Sequence, residues 1–199
     1  FDGSVYRCRM TLKALKKQLN EGFMEVKRGC MIAVSAISDI GDKILLSNGE
    51  EICYTKRKKK ALREELQKKQ ELMIAKISKK KLPLTPEEYG KYYKICDSLP
   101  FAFTDIEMVF NEEKKAVDWI FRYGNEALAT LEKLPLDKMI GNSFSSLFSN
   151  MDAKWLHVYE RATLYGETLE IMDYSPEIDT NLKIICFPTF PGHCGCIFI

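Results

Sequence analysis

Histidine is scarce in this chain, with two in 199 residues. His157 and His193 are read as standing alone, without the carboxylate and nucleophile partners that histidine-based catalysis needs. No apolar run approaches the length of about 20 residues that crosses a bilayer, and the first residues lack the charged-then-apolar layout of a secretory leader. Phe1 is no initiator, which leaves room for chain upstream. The seven cysteines, 8, 30, 53, 96, 186, 194 and 196, sit singly in apolar or strand-like runs, the pattern of buried thiols in a reducing compartment. Cys194-Gly195-Cys196 has one intervening residue where zinc pairs usually have two, and no second pair accompanies it. Together these absences leave a soluble globular chain, expected in the cytoplasm, with no catalytic group, no metal set, no cofactor and no membrane segment of its own.

What is present is charge, and it is unevenly placed. Residues 1–81 hold 20 Lys and Arg against 10 Asp and Glu, whereas 82–199 hold 10 against 18, so a net charge of +2 conceals about +10 beside −8. Asymmetry of this kind suggests that one half meets a polyanion and the other does not. The sharpest feature is Glu50–Lys60, EEICYTKRKKK, an alternating strand that runs directly into five cations, Lys56 to Lys60.

The first half reads as strand-rich with one helix. Asp2-Gly3-Ser4 is turn chemistry ahead of the alternating Val5–Met10, and Leu12, Leu15 and Leu19 share one face of a helix from about Thr11 to Asn20, ended by Gly22. Short strands follow at Phe23–Val26, Met31–Val34, Lys43–Leu46 and Glu51–Thr55, the last two joined through Asn48-Gly49, the strongest local hairpin signal. The cations gather at strand ends, Lys27-Arg28 after one and Lys56-Arg57-Lys58 after another, which fits an electrostatic footprint for nucleic acid.

The order TLKAL, then FMEVKRGCMIAVSAISDI, then ILLSNGEEICYTKRKKKAL resembles the LytTR DNA-binding domain over about residues 5–66. That resemblance implies an elongated arrangement of strands that presents loops to successive major grooves of double-stranded DNA. By position it implies that Arg28 and Arg57 read bases and that Lys27, Lys56 and Lys58 hold phosphates. Arg suits base reading, because its planar fork can grip guanine bidentately.

Between Arg57 and Lys80 there is neither Gly nor Pro, and Leu62, Leu66, Met73 and Ile77 mark a helical stripe. It is read as a connector or dimer helix. After the break at Lys80 to Leu84, Thr85-Pro86-Glu87-Glu88 restarts a helix with a Thr cap, Pro at the first position and Glu at the third. The expected division is therefore a DNA-binding module over 1–60, a connecting helix and linker over 61–86, and a second domain over 87–199.

That second domain begins with a helix over Glu87–Leu99 and continues with strands at Phe101–Phe110 and Ala116–Tyr123. Helices are expected at Glu126–Glu132, Leu136–Phe148 and from an Asn150 or Asp152 cap to Gly166, then strands at Leu169–Tyr174, Leu182–Phe187 and Cys194–Ile199. The layout is α+β. Asp118-Trp119-Ile120-Phe121-x-Tyr123-x-Asn125-x-Ala127, Ile140-Gly141-Asn142, Trp155, Tyr159, Gly166 and Tyr174-Ser175-Pro176 resemble a PAS domain. The resemblance implies an antiparallel sheet with flanking helices and a sensory or dimerising role. The Asn-Cys pair of flavin-binding light sensors is missing, His157 as a haem ligand has nothing converging on it, and Trp119, Phe121 and Trp155 are read as core.

The expected function is a bacterial DNA-binding transcription regulator, with a homodimer formed through the PAS-like domain and the connecting helix, and room for a small-molecule ligand in the PAS pocket. The competing reading makes the PAS-like domain the input module of a signalling enzyme, such as a diguanylate cyclase, whose catalytic domain lies beyond Ile199.

Overall fold

A computed structural model describes residues 7, 9–19, 22–80, 84–149, 151–175 and 178–199. The chain divides into two units, Phe1–Lys69 and Gln70–Ile199. The expected turn at 2–4, most of the strand at 5–10, Cys8, the helix end at Asn20, part of the break at 81–83, the alternative cap Asn150 and Pro176 lie outside the described residues.

In the first unit, Thr11 caps helix α1 (Leu12–Gln18), its hydroxyl accepting from the Ala14 amide at 3.2 Å. Strands β1 (Phe23–Lys27) and β2 (Cys30–Ala33) pair antiparallel. Strands β3 (Ile37–Ile40), β4 (Ile44–Leu46) and β5 (Glu51–Ile52) form a separate three-stranded antiparallel sheet. Strand β3 was not foreseen. Its register shifts between Ile37 and Asp39, so its buried residues are Ile37 and Ile40 and the period-two pattern is lost. Asn-Gly turns the chain between β4 and β5 as expected: Gly49 has φ +83, and Asn48 Oδ1 accepts from the Glu50 amide at 3.0 Å.

Helix α2 (Lys59–Lys80) is unbroken over 22 residues. Its apolar stripe is deepest at Leu62, which belongs to the first unit, and at Ile74, which belongs to the second. Leu72 is exposed. Two short stretches of packing replace a continuous heptad seam.

In the second unit, α3 (Pro86–Tyr92) opens with the capping box read from sequence: the Glu88 amide donates to Thr85 Oγ1 at 3.3 Å, and the Thr85 amide donates to Glu88 Oε2 at 2.7 Å. Pro100 lies two residues after the following 3-10 turn, Lys94–Ser98. Then come β6 (Ala102–Phe110), β7 (Ala116–Gly124), α4 (Glu126–Glu132), α5 (Leu136–Met139), α6 (Phe144–Leu147), α7 (Ala153–Tyr165), β8 (Leu169–Ser175), β9 (Thr180–Pro188) and β10 (His193–Phe198). The five strands make one antiparallel sheet in the order β7-β6-β10-β9-β8. The expected helix over 136–148 is two short pieces, interrupted at Gly141, whose φ of +86 ends the first.

The inner face of this sheet and the helices after β7 enclose the main core, including Ile106, Trp119, Phe121, Leu128, Trp155, Tyr159 and Cys196. The outer face is covered differently. Tyr89 of α3 and its C-cap residue Tyr93 pack with Phe103 and Tyr123 in a second, smaller cluster. Residues 102–108 of β6 are consequently buried on both faces. Asn125 ties the two layers together: its Oδ1 accepts from the amides of Phe103 at 3.1 Å and Leu128 at 3.0 Å, and its Nδ2 donates to the carbonyls of Cys96 at 3.1 Å and Phe101 at 3.0 Å.

Candidate nucleic-acid interface and sensory core

Two strand ends carry the cations of the first unit. Hairpin β1–β2 buries Met24 and Val26, so Lys27 is turned to solvent at the strand end. Arg28 and Gly29 make the turn between the paired residues Lys27 and Cys30, and Gly29 supplies the left-handed φ of +81 that closes it. Both Lys27 and Arg28 are exposed.

The second cluster follows β5. Lys56, Arg57 and Lys58 form one 3-10 turn, closed by the Lys58 amide on the Thr55 carbonyl at 2.8 Å, and all three side chains are exposed. The chain on either side of this turn is held firmly. Tyr54 donates its hydroxyl to the Gly41 carbonyl at 2.5 Å, and Arg63 donates from Nε to the Ile40 carbonyl at 2.8 Å. Lys56, Arg57, Lys59, Lys60 and Arg63 line one open surface groove together with Glu64 and Gln67, and Lys60 pairs with Glu64 at 3.9 Å.

The charges in the neighbourhood sort into paired and unpaired. Lys16 pairs with Glu25, Lys43 with Glu51, and Lys59 with Asp42 at 3.7 Å. Lys16 lowers the Glu25 pKa below its ordinary value chiefly by hydrogen bonding, and the Lys58 charge adds to the effect. Among the described residues, Lys27, Arg28, Lys56, Arg57 and Lys58 form no salt bridge, so their donors are available to an external anion. Arg63, in the same groove, was not singled out in the sequence, because inside a helix it looks like any solvated cation.

The inner cavity of the second unit is small, about 30 Å³, lined by Thr104, Trp119, Phe144, Trp155, Tyr159 and Cys196 among others. Trp119 packs on Phe144 with ring centroids 4.4 Å apart and meets Tyr159 edge-on at 5.0 Å. This space holds about one water molecule. The aromatic residues expected to be core are core here. The thiols of Cys186, Cys194 and Cys196 are buried beside them, and burial pushes the Cys194 and Cys196 pKa values up, the behaviour of inert core thiols.

His157 lies on α7, and its Nε2 has no hydrogen-bond partner among the described residues. Burial, and secondarily the Arg161 charge, lowers its pKa. The expectation that His193 stands alone is corrected. Its Nδ1 lies 2.6 Å from Asp105 Oδ1, and both side chains are essentially inaccessible at 1% and 0%. The pairing joins residues 88 apart, so no local spacing announces it. Among the described residues no cluster of His, Cys, Asp and Glu is arranged to hold a metal, and no helix is long and apolar enough to cross a membrane.

Residues 1–67 match the family model of the LytTr DNA-binding domain. Both basic strand ends fall inside that matched segment. Comparison with curated proteins gives no match. Among solved structures, the chain is similar to a Rhodobacter sphaeroides LOV protein, with 14% identity, 58% of this chain and 68% of the other covered, and a TM-score of 0.38. It is also similar to a domain of a sensory box sensor histidine kinase/response regulator from Geobacter sulfurreducens, with 13% identity, coverage of 57% and 96%, and a TM-score of 0.37. An RNA-binding light-oxygen-voltage receptor matches at 16% identity over 59% of this chain and 34% of its own, with a TM-score of 0.37. The sequence of two strands, helices and three strands in a single antiparallel sheet is the arrangement that the PAS resemblance implied.

Proposed function

We propose that this protein is a sequence-specific, DNA-binding transcription regulator of the bacterial cytoplasm, in which the PAS-like unit senses or dimerises. The single observation that supports it most is the set of five exposed cations without salt bridges at two strand ends, within the segment that matches a DNA-binding family. Lys27, Lys56 and Lys58 set register on phosphates, and Arg28 and Arg57 read base edges. The division into a DNA-binding module over 1–60, a connector over 61–86 and a PAS-like domain over 87–199 belongs to the same reading. So does a homodimer through the PAS-like domain and α2.

Selection from a random duplex library tests the reading, run with this chain and with Arg28→Ala plus Arg57→Ala. Enrichment of repeated short sites, lost in the double variant, is the expected result. Bulk binding without enrichment defeats it. With about five phosphates neutralised, log affinity falls against log salt with a slope of roughly −4 to −5; a slope near zero removes the proposed phosphate contacts.

A further inference from the structure

The outer face of the five-stranded sheet carries a buried polar assembly for which DNA binding provides no explanation. Asp105 of β6 receives three partners from three places in the fold: Oη of Tyr93, the C-cap of α3, at 2.6 Å, Thr189 Oγ1 after β9 at 2.5 Å, and His193 Nδ1 of β10 at 2.6 Å. On its other side His193 Nε2 lies 3.3 Å from Tyr89 Oη of α3 and 3.8 Å from Glu107 Oε2 of β6. Glu107 accepts from Arg122 Nε of β7 at 2.6 Å. Burial and the Asp105 charge push the Tyr93 pKa far above its ordinary value, so this hydroxyl stays a donor to Asp105.

We infer that Asp105 and His193, with Tyr89 and Tyr93, form a polar latch that holds α3 as a releasable strap on the outer face of the sheet. The main core on the inner face contains no residue of α3. The strap is a single layer: Tyr92, although it meets Phe190 at 4.7 Å, is 65% exposed, and Ile95 of the following 3-10 turn is 81% exposed. It also begins with an intact capping box, so its fold is locally set. Its hold combines aromatic packing of Tyr89 and Tyr93 on Phe103, Tyr123 and Phe190 with these directional hydrogen bonds. A buried hydrogen-bonding group left without its partner is costly, so loss of one of these bonds weakens the hold of the strap.

The strap reaches beyond α3. Ile77, on the last part of α2, lies against Gly192, where an added Cβ would come within 3.2 Å of the Ile77 Cγ2. Gly192 directly precedes His193, and α2 is continuous back to Lys59 of the basic groove. Release of the latch therefore changes what the tail of α2 rests on, and through that helix alters DNA affinity. This last step rests on the DNA-binding reading.

Hydrogen exchange on the full chain tests the latch with Asp105→Asn and, separately, with Tyr89→Phe plus Tyr93→Phe, which removes two hydroxyls and keeps the rings. The expected result is a loss of protection on the order of 100-fold, confined to about residues 85–98, with β7 and α7 unchanged. Unchanged exchange at 85–98, or loss spread equally over α7 and β9, overturns the latch. Should Asp105→Asn fail to fold, the tyrosine pair decides. Duplex affinity of the tyrosine pair is expected to change at least about threefold. An unaltered affinity overturns the coupling to α2, and absence of DNA binding by the unmodified chain overturns the DNA-binding reading while leaving the exchange result standing.

Discussion

The two units solve the same problem of burial with different materials. Up to Lys69 the buried hydrophobic side chains among the described residues are Met24, Val26, Ile32, Val34, Ile37, Ile40, Ile44 and Leu62, with no aromatic ring. Beyond it the core is built on Trp119, Phe121, Phe144, Trp155 and Tyr159, and a second aromatic layer lies across the sheet. The strands follow suit, two to five residues long in the first unit and six to nine in the second. Short strands end often, and each end is a place where charge can stand in solvent. Long strands buried on both faces leave few such places and make polar groups pair internally. The first unit therefore presents its chemistry outward, and the second encloses it.

Several substitutions would break or sharpen that contrast. The largest effect is expected from Arg28→Ala with Arg57→Ala, since each bidentate base contact is worth about 1–3 kcal/mol of discrimination. Site-selective binding measured by anisotropy should fall on the order of 100-fold or more, while the unfolding midpoint stays within error because both residues are exposed. A shifted midpoint would mean that the cations serve the fold.

Trp155→Ala should destabilise by about 3–5 kcal/mol, as loss of a buried ring does, read by urea unfolding followed through Trp119 fluorescence. Ile44→Ala, in the aliphatic core, is expected at the low end of about 2–5 kcal/mol, without moving that fluorescence transition. If both substitutions shift it equally, the units unfold as one and the contrast is lost.

Asn125→Ala comes next, at about 2–3 kcal/mol, because a helix cap is lost and buried partners of all four hydrogen bonds are orphaned. Asn125→Asp, which keeps the acceptor and removes the two donors to Cys96 and Phe101, should cost less than Ala if capping dominates. Equal melting temperatures for the two variants would assign the effect to the donors.

The smallest effect concerns His157. Its folded pKa is lowered by burial first and the Arg161 charge second, so the native state holds it neutral. Its contribution to stability is present above the unfolded value of about 6.5 and is lost as pH falls through the lower folded value. Thermal melts between pH 7.5 and 5 should decline less steeply for His157→Gln than for the parent. Parallel pH dependences would place the acid sensitivity elsewhere.

The basic strand ends were legible because neighbours in sequence stay neighbours at a turn. Lys27-Arg28 and Lys56-Arg57-Lys58 needed only a strand, a Gly or Pro rule and a count of charge. Caps behaved likewise: Thr85 and Asp152 occupy the helix starts that their side chains favour, whereas the cap at Asn125 emerged only in the structure. Strand β3 was hidden by its bulge, and Arg63 by the ordinariness of a cation in a helix.

The sequence by itself determined the charge division, the caps, the hairpin turn and the order of elements in the second unit, because each depends on contacts within a few residues. Only the tertiary structure decided that His193 meets Asp105, that Cys186 joins Cys194 and Cys196, and that α3 covers the outer face of the sheet. Those pairings arise where β6, β9 and β10 are laid side by side, and strand order is fixed by the burial of whole faces rather than by any local preference.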